Sequence, residues 1–145
     1  MALTVNGTKQ VGGIAGDNQG ELQGSAGAYL VSSADKVHAT QGLAGGIAGV
    51  SKGSIRYAAS RCGSVQADEG EAGGITGVNR AGQGIRDCIN YGNVTSSDGY
   101  AGGITATNAG TITSCQVKAA DKGTLKIQQC GSKRKAVRSV GSIRE

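Results

Sequence analysis

A Gly-Gly-Ile triplet occurs four times in the chain, as Gly12-Gly13-Ile14, Gly45-Gly46-Ile47, Gly73-Gly74-Ile75 and Gly102-Gly103-Ile104, at intervals of 33, 28 and 29 residues. Self-similarity at this period marks solenoids and arrays, in which each repeat buries its apolar face only against its neighbours. Each copy then runs through a polar turn into a second apolar position. Ile14 leads to Leu22, Ile47 to Ile55 and Ile104 to Ile112, while Ile75 leads to Ile85 across two extra turn residues. The middle repeats add a third apolar position, in Gly63-Ser64-Val65 and Gly92-Asn93-Val94. These segments are too short and too glycine-rich for helices.

Three short strands per repeat of ~28 residues meet the requirement for one coil of a parallel β-helix, with coils stacked at a strand spacing of ~4.8 Å. The fold expectation is therefore an all-β solenoid of about four coils, covering 11–43, 44–71, 72–100 and 101–130. An N-terminal strand or cap over 1–10 precedes it, and a basic tail over 131–145 follows. Glycine suits the corners, where the backbone takes positive φ or lies against the next coil. Asn18, Asn79 and Asn108 share one turn position with Ser51, where stacked polar side chains can satisfy free backbone groups. The first repeat is longest, and its insertion is expected around Ser32-Ser33-Ala34-Asp35-Lys36.

Composition fits small-residue packing. There are 27 Gly, no Pro, no Phe and no Trp among 145 residues, so aliphatic side chains must fill the interior. The net charge of +5 is unevenly placed: residues 1–117 carry seven Lys or Arg against eight Asp or Glu, and residues from 118 on carry eight against two. The basic run Lys133-Arg134-Lys135 has no aromatic residues interleaved to stack on bases, which argues against nucleic acid as a partner. No stretch is long and apolar enough to insert in a membrane, and the start lacks the blocks of a signal peptide. Without obvious caps, the chain reads as a piece of a longer exported protein.

The pattern Gly-Gly-Ile-x-Gly-x-Asn, then Gly-x-Ile-x-x-Cys, then Asn-x-Gly-x-Val resembles the GLUG motif, and Gly73 through Val94 carries it most completely. GLUG repeats form arrays on bacterial surface proteins and flank the catalytic domains of some immunoglobulin-A-cleaving metalloproteases. The resemblance covers about residues 11–117 and implies a secreted or wall-associated structural module. The first copy departs from it with Ser25, and the second with Ala58, where the others have Cys. Ala106 stands where positions 16, 49 and 77 are Gly.

Candidate chemistry is sparse. Cys88 and Cys115 follow equivalent Ile positions by three residues and are expected to stack as a reduced interior row. A disulfide between them needs opposed Cβ directions that in-register side chains do not offer. With no C-x-x-C and one His, the spacing of a zinc site is missing. Gly49-Val50-Ser51-Lys52-Gly53 matches a nucleophile elbow, but Ser51 sits at the repeated turn position rather than on a strand-to-helix turn. His38 is expected alone in an inserted loop, and Asp68, Glu69 and Glu71 form an acidic loop without the ligand alternation of a calcium site. No catalytic residue, cofactor site or metal site is assigned. Tyr91 and Tyr100 are the aromatic residues to test for glycan contact.

The expected role is a non-catalytic structural or adhesive module of an extracellular or cell-wall protein, facing a host protein or glycan. One alternative is a filament subunit that self-associates through open solenoid ends. A second is an ancillary domain of a surface protease or glycan-active enzyme.

Overall fold

The computed structural model describes residues 4–80, 84–118, 127–129, 136–137 and 140–143. Its strands form a parallel solenoid with five strands in each full coil. Coil one contains β1 (Thr4–Gly7), β2 (Gln10–Gly12), β3 (Ala15–Asn18), β4 (Glu21–Gln23) and β5 (Leu30–Ser32). Coil two contains β6 (Lys36–Ala39), β7 (Leu43–Gly45), β8 (Ala48–Ser51), β9 (Ser54–Arg56) and β10 (Ala58–Ser60). Coil three contains β11 (Ser64–Ala67), β12 (Ala72–Gly73), β13 (Thr76–Asn79), β14 (Gly84–Arg86) and β15 (Ile89–Asn90). Coil four contains β16 (Asn93–Ser96), β17 (Ala101–Gly102), β18 (Thr105–Asn108), β19 (Ile112–Thr113) and β20 (Gln116–Val117). Beyond it, β21 (Ile127–Gln129), β22 (Ala136–Val137) and β23 (Val140–Ile143) pair with β16, β17 and β18, so the stack continues into the stretch read as a basic tail.

Equivalent strands pair in parallel, giving five sheets along the stack, here faces A to E in the order of β1 to β5. The Gly-Gly-Ile register is kept throughout: Gly12 pairs with Gly45, Gly45 with Gly73, and Gly73 with Gly102. Five strands per coil replace the expected three for two local reasons. The Gly-Gly pair breaks the first segment into faces B and C. A left-handed residue breaks the second into D and E, at Tyr57 (φ 50°), Asp87 (φ 54°) and Ser114 (φ 54°). A single αL residue is a sharp corner that non-glycine residues tolerate at a cost.

The long first repeat is resolved by its register. Gln23 pairs with Arg56, 33 residues on, whereas Leu30 pairs with Ala58, 28 residues on. The five extra residues therefore lie between β4 and β5, closed by reciprocal Ser25–Ala28 backbone hydrogen bonds of 3.0 and 3.1 Å. The expected site of insertion, 32–36, is instead ordinary solenoid, with Ala34 buried. Leu30, not Ser25, thus stands in the column of Ala58.

The paired glycines act by close approach. None of them has positive φ; among the described glycines, Gly84 is the one that does, at 96°. A Cβ on Gly13 or Gly46 would collide with the hydroxyl of Ser32 or Ser60, and one on Gly74 with the amide of Asn90. In each case it would also strike the carbonyl of the matching glycine in the next coil. The B–C turn therefore folds inward until it touches the end of face E. Each coil is pinched at this waist into two lobes. One core holds Val37, Ala39, Ala44, Val65, Ala67, Ala72, Val94 and Ala101 between faces A and B. The other holds Ile47, Ile55, Ile75, Ile85, Cys88 and Ile104 among faces C, D and E. A narrow lobe suits small aliphatic side chains, which explains a closed core without Phe or Trp.

Candidate binding surface

The inward B–C turn leaves an outward groove between faces B and C. Its cavity, of about 380 Å³, is lined by residues including Leu43, Glu69, Glu71, Val78, Arg80 and Thr107. The floor is close-packed: a Cβ on Gly77 would stand 3.1 Å from Leu43 Cβ, and one on Gly49 would stand 2.7 Å from Val11 N. Glycine at 16, 49 and 77 thus lets the two faces approach, which is the sequence signal for the groove. Register sets its walls. Gln10, Leu43, Glu71 and Tyr100 fall in one column along face B. Gln19, Lys52, Arg80 and Ala109 fall in another beyond face C. Neither column repeats a residue, in contrast to the glycines and isoleucines between them. Thr107 lies 2% exposed, and its Oγ1 has no hydrogen-bond partner among the described residues.

Asn18, Ser51, Asn79 and Asn108 stack in register at the C–D corner. Asn18 Nδ2 donates to Ser51 Oγ (3.2 Å) and to the Ser54 carbonyl (3.1 Å). Asn79 Nδ2 donates to Asn108 Oδ1 (2.7 Å), and Asn108 Oδ1 accepts from Gly110 N (3.1 Å). Ser51 is fully buried and its hydroxyl donates to the Gly53 carbonyl at 3.3 Å, so the serine of the elbow-like motif is part of this ladder.

His38 lies on β6, not in an inserted loop, and it has a carboxylate partner. Its Nε2 is 2.9 Å from Asp68 Oδ2 in the next coil, and Gln66 Nε2 donates to Asp68 Oδ1 at 3.0 Å. The hydrogen bond from His38, then that from Gln66, holds the Asp68 carboxyl below the ordinary value of 3.8. A lowered folded-state pKa stabilises the fold above the unfolded value and ceases to do so as pH falls through the folded one. Asp68 is exposed, so the effect is small. Asp68→Asn is expected to lower the thermal midpoint slightly near neutral pH, with the gap to the native protein closing in acid below 3.8. A gap that is the same at both pH values would show that the pair contributes nothing through charge.

Cys88 and Cys115 occupy one column, since Ile89 pairs with Gln116. Cys62, Cys88 and Cys115 are all free thiols, and Cys130 lies outside the described residues. Cys115 beside it and burial push the Cys88 thiol up, while donation from Cys88 pulls Cys115 down. Cys88 is buried in the larger lobe and Cys115 packs at its margin.

The tyrosines divide. Tyr91 is covered by Arg61, whose guanidinium carbon is 4.3 Å from the ring centroid. Tyr100 continues the groove wall, at the opposite end of β16. The two do not form one aromatic platform. Tyr29 and Tyr57 meet edge to face at 5.9 Å, against the inserted turn. Among the described residues, no group of three or more His, Cys, Asp or Glu is placed to hold a metal ion. Among the described residues, no helix is long and apolar enough to cross a membrane.

No protein-family model, curated protein or solved structure matches the chain. The β-solenoid therefore stands on the strand pairing, and the resemblance to GLUG repeats on the residues that carry it.

Proposed function

We propose that the chain is a non-catalytic structural or adhesive β-solenoid module, of the GLUG kind, from a bacterial cell-surface or secreted protein. The observation that carries this reading is the division of labour between repeated and unrepeated residues. The repeated Gly, Ile and Asn positions are absorbed in the waist, the cores and the ladder. The groove is walled by columns that change at each coil, as a recognition surface on a repeat scaffold does. Ser51 supports the non-catalytic reading, because its hydroxyl is buried and engaged.

The reading is tested on an array of host and bacterial glycans, with native protein and a Leu43→Lys, Thr107→Lys double variant that fills the groove. Retention by native protein, lost in the variant, is the expected result for adhesion. Equal retention by both would overturn the groove as the adhesive surface.

A filament subunit is the second reading. It is favoured by the first coil, where Ile14 is 40% exposed although the matching Ile47 is buried. Stacking a second copy on this end would cover that side chain. Sedimentation velocity at tens of micromolar separates the readings: a monomer supports a module that acts singly, and fibres support the filament.

A further inference from the structure

Face D carries a second, smaller hollow that the groove does not account for. It measures about 240 Å³ and is lined by Ser54, Arg56, Gly84, Ile85, Arg86, Thr111 and Thr113. Its shape follows from one residue. Gly84 has φ 96° and no side chain, in a column whose neighbour in the preceding coil is Ser54. A Cβ there would stand 2.5 Å from the Thr111 carbonyl, so the hollow is a built feature of the coil. Ile85, 1% exposed, separates it from the core.

Arg56 and Arg86 are register partners on adjacent strands. Like charges directly opposite each other across a sheet repel. Glu21 of coil one reaches Arg56 with 3.7 Å between Oε1 and the guanidinium, leaving the far side of the pair uncompensated. Among the described residues, Arg86 has no carboxylate within ion-pair distance. Asp87 follows it in sequence but occupies the αL corner. Arg56 and Arg86 thus line, with Ser54, Thr111 and Thr113, one hollow with a glycine floor. Guanidinium forks recognise planar and tetrahedral oxyanions through paired charge-assisted hydrogen bonds, and hydroxyls can complete such a shell.

We propose that this Arg56–Arg86 hollow is an oxyanion site that takes one sulfate or carboxylate group of an acidic glycan chain. At about 240 Å³ the hollow has room for a single anionic group. No aromatic side chain lines it to stack a base, which favours a glycan over a nucleic acid. The site lies on a different face from the groove and does not depend on the adhesive reading.

Titration calorimetry of the full chain tests it, with four probes: a heparin tetrasaccharide, trigalacturonate, inorganic sulfate and a ten-residue oligothymidylate. The expected result is saturable binding of at least one glycan, one per chain, weakened tenfold or more by Arg86→Gln and by Thr113→Glu, a variant that puts a carboxylate into the hollow. Circular dichroism and thermal midpoints confirm that both variants fold. A Lys133→Gln, Arg134→Gln, Lys135→Gln variant is expected to bind as the native protein does. No saturable glycan binding, or equal affinity in both hollow variants, overturns the site. Loss of binding in the triple variant moves it to the basic run. Inorganic sulfate bound as tightly as the glycans reduces it to a free-ion site, and preferential oligothymidylate binding overturns the glycan assignment.

Discussion

Gly46→Ala is expected to lower the unfolding free energy by about 3 kcal/mol or more, although it adds one methyl group, because overpacking without a compliant neighbour exceeds the usual 1–3 kcal/mol range. The new Cβ would strike Ser60 Oγ on one side and the Gly74 carbonyl on the other. The serine can rotate. The carbonyl belongs to the next coil's own waist, so relief at one level displaces the level above. Gly20→Ala is the control, since nothing lies within 4 Å of its Cβ position. Its stability is expected within about 1 kcal/mol of native, because losing unfolded-state freedom is a small and favourable effect. Urea midpoints of the two variants measure the difference directly. Equal midpoints would show that the waist is not a close contact.

Ile75→Ala is expected to cost about 4 kcal/mol, toward the upper part of the range for buried aliphatic truncations. Ile75 is fully buried between Ile47 and Ile104. Backbone bonds of 2.9 Å from Ile47 N to the Ile75 carbonyl and of 2.8 Å from Ile75 N to the Ile104 carbonyl fix the spacing of this column. Strands pinned on both sides cannot collapse into the space left behind, so the cavity term remains. Ile14→Ala in the same column is expected to cost less than about 1 kcal/mol, because the side chain is 40% exposed and only coil two packs on it. If both variants lost the same stability, the side chains would not be stacked in a column with an open end.

Columns were legible in the sequence, and contacts across a coil were not. The intervals between Gly-Gly-Ile triplets reproduce the strand register, and the turn position shared by Asn18, Ser51, Asn79 and Asn108 is a column in the fold. Both are comparisons of a residue with its own copies. The waist joins residues of different phase, Gly46 with Ser60 and Gly74 with Asn90, so periodicity carries no trace of it. The αL corner is occupied by Tyr57, Asp87 and Ser114, three residue types with no common pattern, which hid the division of faces D and E. His38 and Asp68 occur once and are 30 residues apart, two more than the 28-residue offset between β6 and β11, so comparing each residue with its copies does not bring them together. The groove was half visible, in the glycines at 16, 49 and 77, but those residues read equally well as corners. The Arg56–Arg86 hollow needs both the register and the positive φ of Gly84.

The two-lobed coil is the claim on which the waist, the groove and the packing of small side chains all rest. It is tested most directly by nuclear Overhauser spectroscopy of protein labelled at Ile and Val methyl groups. Strong cross-peaks are predicted along Val37, Val65 and Val94, and along Ile47, Ile75 and Ile104, with none between the two sets. Strong cross-peaks between Val65 and Ile75 would mean one undivided core and would contradict the account.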